Sequence, residues 1–400
     1  MGRVVVIGAG QAGATLTTKL RALGHAGEIV LIGEEPVVPY QRPPLSKKYL
    51  LGEMPVERLF LKPETAYAEA DITLRLGTHV DAVDTAAKKV RLGEERLGYD
   101  DLVFTTGSVV RKLPASIGGD LAGVFTVRTL ADVDAMAQAF EVGGRVLIVG
   151  GGYIGLEAAA VAAMKGLETT LIEAEERILK RVAARETSAY FRKLHLGRGV
   201  DIREGVSLSR LTGDGHVSQA ALSDGSTLDV DFVIVGVGID PAIGLAQNAG
   251  IDCDNGIATD AQGRTSAPGV WAAGDCASFP YRGTRIRLES VPNAIDQADI
   301  VAANILGAEK DYIAKPWFWS DQYDVKLQIA GLNSGYSRVI VRDSGAARSH
   351  WYYRGDILLA VDAMNDARSY MIGKRLIEAG KSPPADAVKN PETDLKALLT

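Results

Sequence analysis

The 400-residue chain has only two cysteines, Cys253 and Cys276. They stand far apart in sequence, so there is no Cys-x-x-Cys pair and no spacing suited to zinc or another metal. A disulfide reductase needs a redox-active pair of neighbouring thiols, and a single-cysteine oxidase or peroxidase needs one early in the chain. No cysteine precedes Cys253, so neither is on offer. Long apolar runs are missing as well, and none approaches the roughly 20 residues that cross a bilayer. The first apolar run, Val4-Val5-Val6-Ile7, opens straight into glycines, unlike a signal-peptide core. Met1-Gly2 is not followed by Ser or Thr at position 6, so the myristoylation pattern fails. These absences predict a cytoplasmic protein without a membrane span. Positive charge is not in excess either: the net charge of −6 gives no reason to expect a nucleic-acid partner. Low-complexity segments and short-period repeats are also lacking.

The length suits two or three domains rather than one core. Two glycine-rich segments organise it: Gly8-Ala9-Gly10-Gln11-Ala12-Gly13 follows the first apolar run, and Gly150-Gly151-Gly152-Tyr153-Ile154-Gly155 follows Val146-Leu147-Ile148-Val149. Each reads as strand, tight turn and helix. The first glycine permits the turn, the second lets backbone approach a pyrophosphate, and the third lets helix pack on strand. The helix N-terminus adds free N–H groups and the positive end of its dipole. In the first module the pattern predicts a strand over 4–7, a helix over 12–23 and a strand over 29–32. Glu34 then stands where a carboxylate reaches ribose hydroxyls, with Glu35 as a competing choice. The second predicts a strand over 146–149, a helix over 153–165 and a strand over 169–172 that ends at Glu173. An acid there pairs with the ribose 2′-OH and repels a 2′-phosphate, which favours NAD over NADP. Ala174 follows where an NADP site would more readily place Arg; Arg177 and Lys180 lie close by, either as phosphate ligands or as solvated surface charges.

Further strands are predicted near 97–106, 230–236, 270–275, 337–341 and 357–361, and helices over 293–305 and 369–378. The expected fold is α/β: two Rossmann-like dinucleotide-binding domains and a C-terminal α+β domain.

Three other features carry chemistry. In Arg42-Pro43-Pro44-Leu45-Ser46-Lys47 two prolines stiffen a loop bearing cations, which suits contact with a reduced flavin or simply makes a surface loop. Glu157 is expected in the first turn of the second glycine-fronted helix, where the dipole favours a carboxylate but a bound phosphate would not. Capping the helix or pairing with a cation such as Lys47 would each account for it. Asp275, in Ala273-Gly274-Asp275, closes a strand where it can reach a polyol or serve as a turn residue.

These motifs, with Thr259 and Ala272–Cys276, Glu289-Ser290-Val291-Pro292-Asn293-Ala294 and Pro316-Trp317-Phe318-Trp319-Ser320-Asp321-Gln322, resemble one group of flavoproteins over essentially the whole chain. That group is the putidaredoxin-reductase type, the glutathione-reductase-like ferredoxin reductases that feed bacterial cytochrome P450s and ring-hydroxylating dioxygenases. The resemblance implies FAD in a discontinuous domain of residues 1–110 and 240–315, NADH in residues 111–239, and a C-terminal domain of residues 316–400. FAD contacts would come from Gly8, Gly10, Gly13, Glu34, Arg42, Lys47, Asp275 and Val291. NADH contacts would come from Gly150, Gly152, Gly155 and Glu173.

Lys47 matches a lysine near flavin N5 that pairs with the residue matched by Glu157. Trp319 matches an aromatic lying between flavin and docked ferredoxin, so these three are the expected catalytic group. The implied partner is an acidic [2Fe–2S] ferredoxin. One departure concerns it: Gln297-Ala298-Asp299 stands where the group often has Gln-Ala-Arg facing the ferredoxin. Lys326, Arg285 and Arg287 are the candidate substitutes. A rubredoxin or monodehydroascorbate-type reductase, or an NADH-binding flavoprotein like apoptosis-inducing factor, are the alternative readings. The missing targeting segment and missing basic stretches weigh against the last. A monomer or weak homodimer is expected.

Overall fold

The computed structural model describes residues 2–399. It divides into two compact units, the first from Met1–Gln41, Pro55–Val109 and Ile239–Pro316, the second from Arg42–Met54, Val110–Gly238 and Trp317–Thr400.

The first unit is built on a parallel sheet whose strands lie in the order Val270–Ala272, Asp101–Phe104, Val4–Ile7, Ile29–Ile32 and Ile72–Arg75. Val4–Ile7 and Ile29–Ile32 are buried at every position. A parallel strand covered on both faces needs such an unbroken apolar run. Helix Gln11–Ala22 covers one face and packs on helix Val291–Ile305, where Ala12, Leu16 and Leu20 meet Ala294, Ala298 and Val301. The other face carries a small antiparallel sheet of Ala82–Asp84, Lys89–Leu92 and Glu95–Gly98.

Two sequence expectations change here. The single strand over 97–106 is really two, Glu95–Gly98 and Asp101–Phe104. The first pairs antiparallel with Lys89–Leu92 and the second parallel with Val4–Ile7, so the chain must break where it changes sheets. The late helix starts at Val291, two residues early, because the Ser290 hydroxyl accepts the Asn293 N–H at 3.3 Å. Pro292 fits that first turn because its missing N–H is not needed there.

The second unit repeats the parallel architecture in the order Asp201–Glu204, Glu168–Glu173, Arg145–Val149, Phe232–Val235 and Val124–Thr126. Helix Tyr153–Met164 runs along it with Ala158, Ala159, Ala160 and Ala162 all buried. The C-terminal part is an antiparallel sheet in the order Trp317–Gln322, Val325–Gly331, Ile357–Met364, Arg348–Arg354 and Arg338–Asp343, covered by helix Ala367–Glu378. The α/β class with a C-terminal α+β part is therefore present.

Residues 42–54 lie inside the stretch expected for the FAD domain but cluster with the second unit. The bonds responsible are Arg42 Nη1 to the Arg128 carbonyl and Tyr49 OH to Asp134 Oδ1, both 2.7 Å.

Candidate functional site

The two glycine turns are built alike. At Gly8 φ is +114° and a Cβ would lie 2.2 Å from the Thr105 carbonyl oxygen; a Cβ on Gly13 would meet the Gly8 oxygen at 2.2 Å. In the second turn a Cβ on Gly155 would meet the Gly150 oxygen at 2.0 Å. These glycines are therefore required by close approach. The middle ones differ: nothing lies within 4 Å of a Cβ placed on Gly10 or Gly152. Each is also a helix N-cap with no side-chain hydrogen bond. Open space in front of free N–H groups is what a pyrophosphate requires.

The acidic positions are not equivalent. Gly8 N–H donates to the Ile32 carbonyl and Gly150 N–H to the Ile172 carbonyl, so Gly33, not Glu34, is the counterpart of Glu173. Glu173 faces its glycine turn: Oε2 accepts the Gly151 N–H at 2.7 Å and Oε1 accepts the Glu175 N–H at 2.8 Å. Each oxygen keeps acceptor capacity for a ribose hydroxyl. In the first module a Cβ on Gly33 would meet the Ala9 side chain at 2.6 Å, so the acid is displaced by one residue. Glu34 points outward, 80% exposed, against His79 at 3.1 Å, while Glu35 accepts the Tyr40 hydroxyl at 2.6 Å. Both cations near Glu173 are committed elsewhere, Arg177 to the Ser188 hydroxyl and Lys180 to Glu175 at 2.8 Å.

The clearest cluster of charge lies in the second unit. Lys47 Nζ is 2.7 Å from Glu157 Oε2, with side chains 15% and 2% exposed. Ser46 donates to Oε2 at 2.5 Å and Ser320 to Oε1 at 2.6 Å. Glu157 is the fifth residue of its helix, not in the first turn, so hydroxyl donors and Lys47, rather than the helix end, hold it. A buried ion pair is tolerable only when the remaining lone pairs are satisfied, and the two serines do that. Lys47 also donates to the Pro43 carbonyl at 3.2 Å, which leaves one of its three N–H bonds for a ligand. Sequence reasoning missed both serines. Each sits in a quoted motif, but a serine among prolines or aromatics carries no signal of its own.

On strand Trp317–Gln322, Ser320 and Gln322 are buried while Trp319 is partly exposed, as the period of a strand dictates. The Trp317 and Trp319 rings lie 5.6 Å apart, and Phe318 packs on Tyr153 at 5.0 Å. In the first unit Asp275 follows Gly274, whose N–H donates to Gln297 Oε1 at 2.9 Å, and Asp275 Oδ2 accepts the Ser108 hydroxyl at 3.4 Å. Val291 opens the Ser290-capped helix.

The candidate docking cations fare unevenly. Arg287 is 10% exposed and pairs with Glu289 at 2.6 Å. Arg285 donates to the Thr259 carbonyl at 2.9 Å. Lys326 stays exposed, and Asp299 is paired with Lys19 at 3.2 Å.

The two cysteines, remote in sequence, share one core: Cys276 is buried in it and Cys253 packs against it. Both thiols are free, and burial pushes both up, away from the reactive thiolate. Among the described residues no cluster suits a metal ion, and no helix is long and apolar enough to cross a membrane.

Comparison with known proteins gives concordant matches. Residues 2–298 match the pyridine nucleotide-disulphide oxidoreductase family, and residues 317–399 the reductase C-terminal family. A ferredoxin–NAD(P)+ reductase of a Sphingomonas species is 45% identical, with 99% of this chain and 97% of the relative covered. Putidaredoxin reductase of Pseudomonas putida is 40% identical, with 94% and 91% covered. The crystal structure of a covalent putidaredoxin reductase–putidaredoxin complex matches with a TM-score of 0.96 at 37% identity, covering 100% of this chain and 98% of that one.

Proposed function

The chain belongs to the pyridine nucleotide-disulphide oxidoreductase family, and from that membership we propose that it is an NADH-dependent ferredoxin reductase. Its cofactors are FAD and a nicotinamide dinucleotide. FAD, when bound, supplies the conversion of a hydride donor into a source of single electrons. The observation that carries the reading is the pair of uncapped helix N-termini, each fronted by a glycine with open space before it. Two such anion cradles in one chain suit two dinucleotides.

Gly8, Gly10 and Gly13 would hold the FAD pyrophosphate, with Arg42, Asp275 and Val291 as further contacts, and Glu34 would reach the ribose only by turning away from His79. Gly150, Gly152 and Gly155 hold that of NADH. Glu173 accepts from the ribose 2′-OH and repels a 2′-phosphate, and the commitment of Arg177 and Lys180 to other partners supports NADH over NADPH. Lys47 supplies positive charge to the reduced flavin while Glu157 keeps the ammonium oriented. Trp319 is the aromatic on the electron exit. The acceptor is a [2Fe–2S] ferredoxin serving a cytochrome P450 or a ring-hydroxylating dioxygenase. The ferredoxin-reductase names of the relatives, components of dioxygenase systems among them, support that partner. With Asp299 paired and both arginines engaged, Lys326 is the docking cation of choice. The reaction takes place in the cytoplasm, on a monomer or weak dimer.

The test is to mix the holoprotein anaerobically with NADH and a purified [2Fe–2S] ferredoxin. Catalytic bleaching of the ferredoxin is expected. Turnover with ferricyanide but none with ferredoxin would overturn the assignment of the acceptor.

A further inference from the structure

The Glu157 carboxylate is the end point of a hydrogen-bond chain that runs back through the C-terminal sheet. Ser320 Oγ donates to Glu157 Oε1 at 2.6 Å, and Gln322 Nε2 donates to Ser320 Oγ at 3.3 Å. His195 Nε2 lies 2.8 Å from Gln322 Oε1, and the Tyr323 hydroxyl lies 3.1 Å from His195 Nδ1. Glu157, Ser320, Gln322 and His195 are all buried, so water does not compete for these bonds.

The directions of donation are forced. A carboxylate in an ion pair only accepts, so Ser320 gives it its one proton. The Ser320 oxygen then offers lone pairs alone, which turns the Gln322 NH2 group toward it and the Gln322 carbonyl toward His195. That carbonyl fixes the imidazole proton on Nε2 and leaves Nδ1 to accept from Tyr323. Burial keeps the imidazole neutral, with its pKa pushed down to about 4. At the far end the Arg198 guanidinium lies 5.0 Å from the Tyr323 ring centroid and pairs with Asp324 at 2.8 Å. Every donor in the chain therefore points toward Glu157. Hydrogen bonds aligned in one direction polarise and strengthen one another.

We propose that Ser320, Gln322 and His195 are positioning residues for the reaction, a one-way donor chain that holds the Glu157 carboxylate aimed at Lys47. The C-terminal sheet then does more than support Trp319. On the strand Trp317–Gln322, Ser320 and Gln322 serve the Lys47–Glu157 pair, while Trp319 lies on the opposite face. The proposal rests on Lys47 acting on the flavin.

The test uses flavin-loaded enzyme in anaerobic stopped flow, comparing the Ser320→Ala, Ser320→Thr, Lys47→Ala and Lys47→Ala/Ser320→Ala variants. Ser320→Ala is expected to lower the limiting rate of flavin reduction about five-fold with the apparent affinity for NADH unchanged, the mark of an interaction that matters only in the transition state. Ser320→Thr restores the rate. In the Lys47→Ala background, removing Ser320 adds no further loss, because residues acting through one group are not additive. Gln322→Met, which breaks the chain one link away and leaves Ser320 in place, is expected to lower the rate about two-fold. It keeps the test open should Ser320→Ala fold poorly.

A full and separate Ser320 effect in the Lys47→Ala background, or lowered melting temperatures with unchanged rates in the Ser320 and Gln322 variants, would overturn the chain and leave the lysine assignment intact. An unchanged rate in Lys47→Ala alone would instead overturn the lysine assignment itself.

Discussion

Two carboxylates and one ammonium carry most of the chemistry proposed for single residues. Lys47 is held by Glu157 at 2.7 Å and by the Pro43 carbonyl at 3.2 Å, a fixed charge in a mostly buried setting. Such charge needs no reorganisation when negative charge develops nearby, which is where electrostatic catalysis gains most. Lys47→Ala is therefore expected to slow flavin reduction by NADH about ten- to hundred-fold in stopped flow. Glu173 is proposed to discriminate by its placement, both oxygens being oriented by backbone N–H groups. Glu173→Ala should raise the KM for NADH about ten-fold, the worth of a hydrogen bond to a charged group, and leave that for NADPH little changed. Steady-state kinetics with both nucleotides checks this; an unaltered preference would remove Glu173 from the site. Glu173 could be singled out in the sequence by spacing, and Lys47 only through the family resemblance. Ser46, Ser320 and His195 could not, because what they touch comes from other parts of the fold.

At the level of elements, the glycine turn and its helix form the working part. Gly155 lies where a Cβ would come within 2.0 Å of the Gly150 oxygen. Gly155→Ala is thus expected to push the helix off its strand and raise the KM for NADH at least about ten-fold while FAD stays bound, since the first turn is untouched. Absorbance spectra and NADH titration report the two effects separately. Short buried strands such as Ile29–Ile32 were legible to the residue, because an all-apolar, largely β-branched run ending in glycine has few other solutions. The break at 99–100 was not legible. Residues on either side are equally strand-like, and only their pairing with two different sheets divides them. Likewise, spacing selected Glu34, while strand pairing gives Gly33 as the counterpart of Glu173, the loop before the second strand being longer in the first module.

Across the whole molecule, buried titratable groups set the response to acid. Burial pushes His195 down to about 4 and His350 down to about 3. The unfolded chain then binds these protons first, so stability is complete above about 6.5 and drains as pH falls below it. Asp362 works the other way. Burial raises it from 3.8 to about 6 against the opposing hydroxyls of Tyr352 and Thr187, so the folded form protonates first and gains relative stability as pH falls through 6. Two histidines outweigh one aspartate. Stability is expected to fall between pH 6.5 and 4 by about 1.4 kcal/mol per pH unit for each net proton taken up. Asp362→Asn removes the offset and should steepen that fall. Melting temperatures across the range check it, and an unchanged slope would contradict the assignment. The α/β class with its repeated parallel sheet was legible from the two glycine motifs. The membership of residues 42–54 in the second unit was not, because it depends on their bonds to Arg128, Asp134 and Glu157. Nor was the meeting of Cys253 and Cys276 in one core, since long-range pairing leaves no local mark.

The two glycine turns and Glu173 are proposed to let one chain hold FAD beside NADH. The deciding measurement is anaerobic stopped-flow mixing of the purified protein, first with NADH and then with NADPH. Rapid bleaching near about 450 nm, where any flavin absorbs, is expected with NADH and much slower bleaching with NADPH. A colourless protein, or equal rates with the two nucleotides, would contradict it.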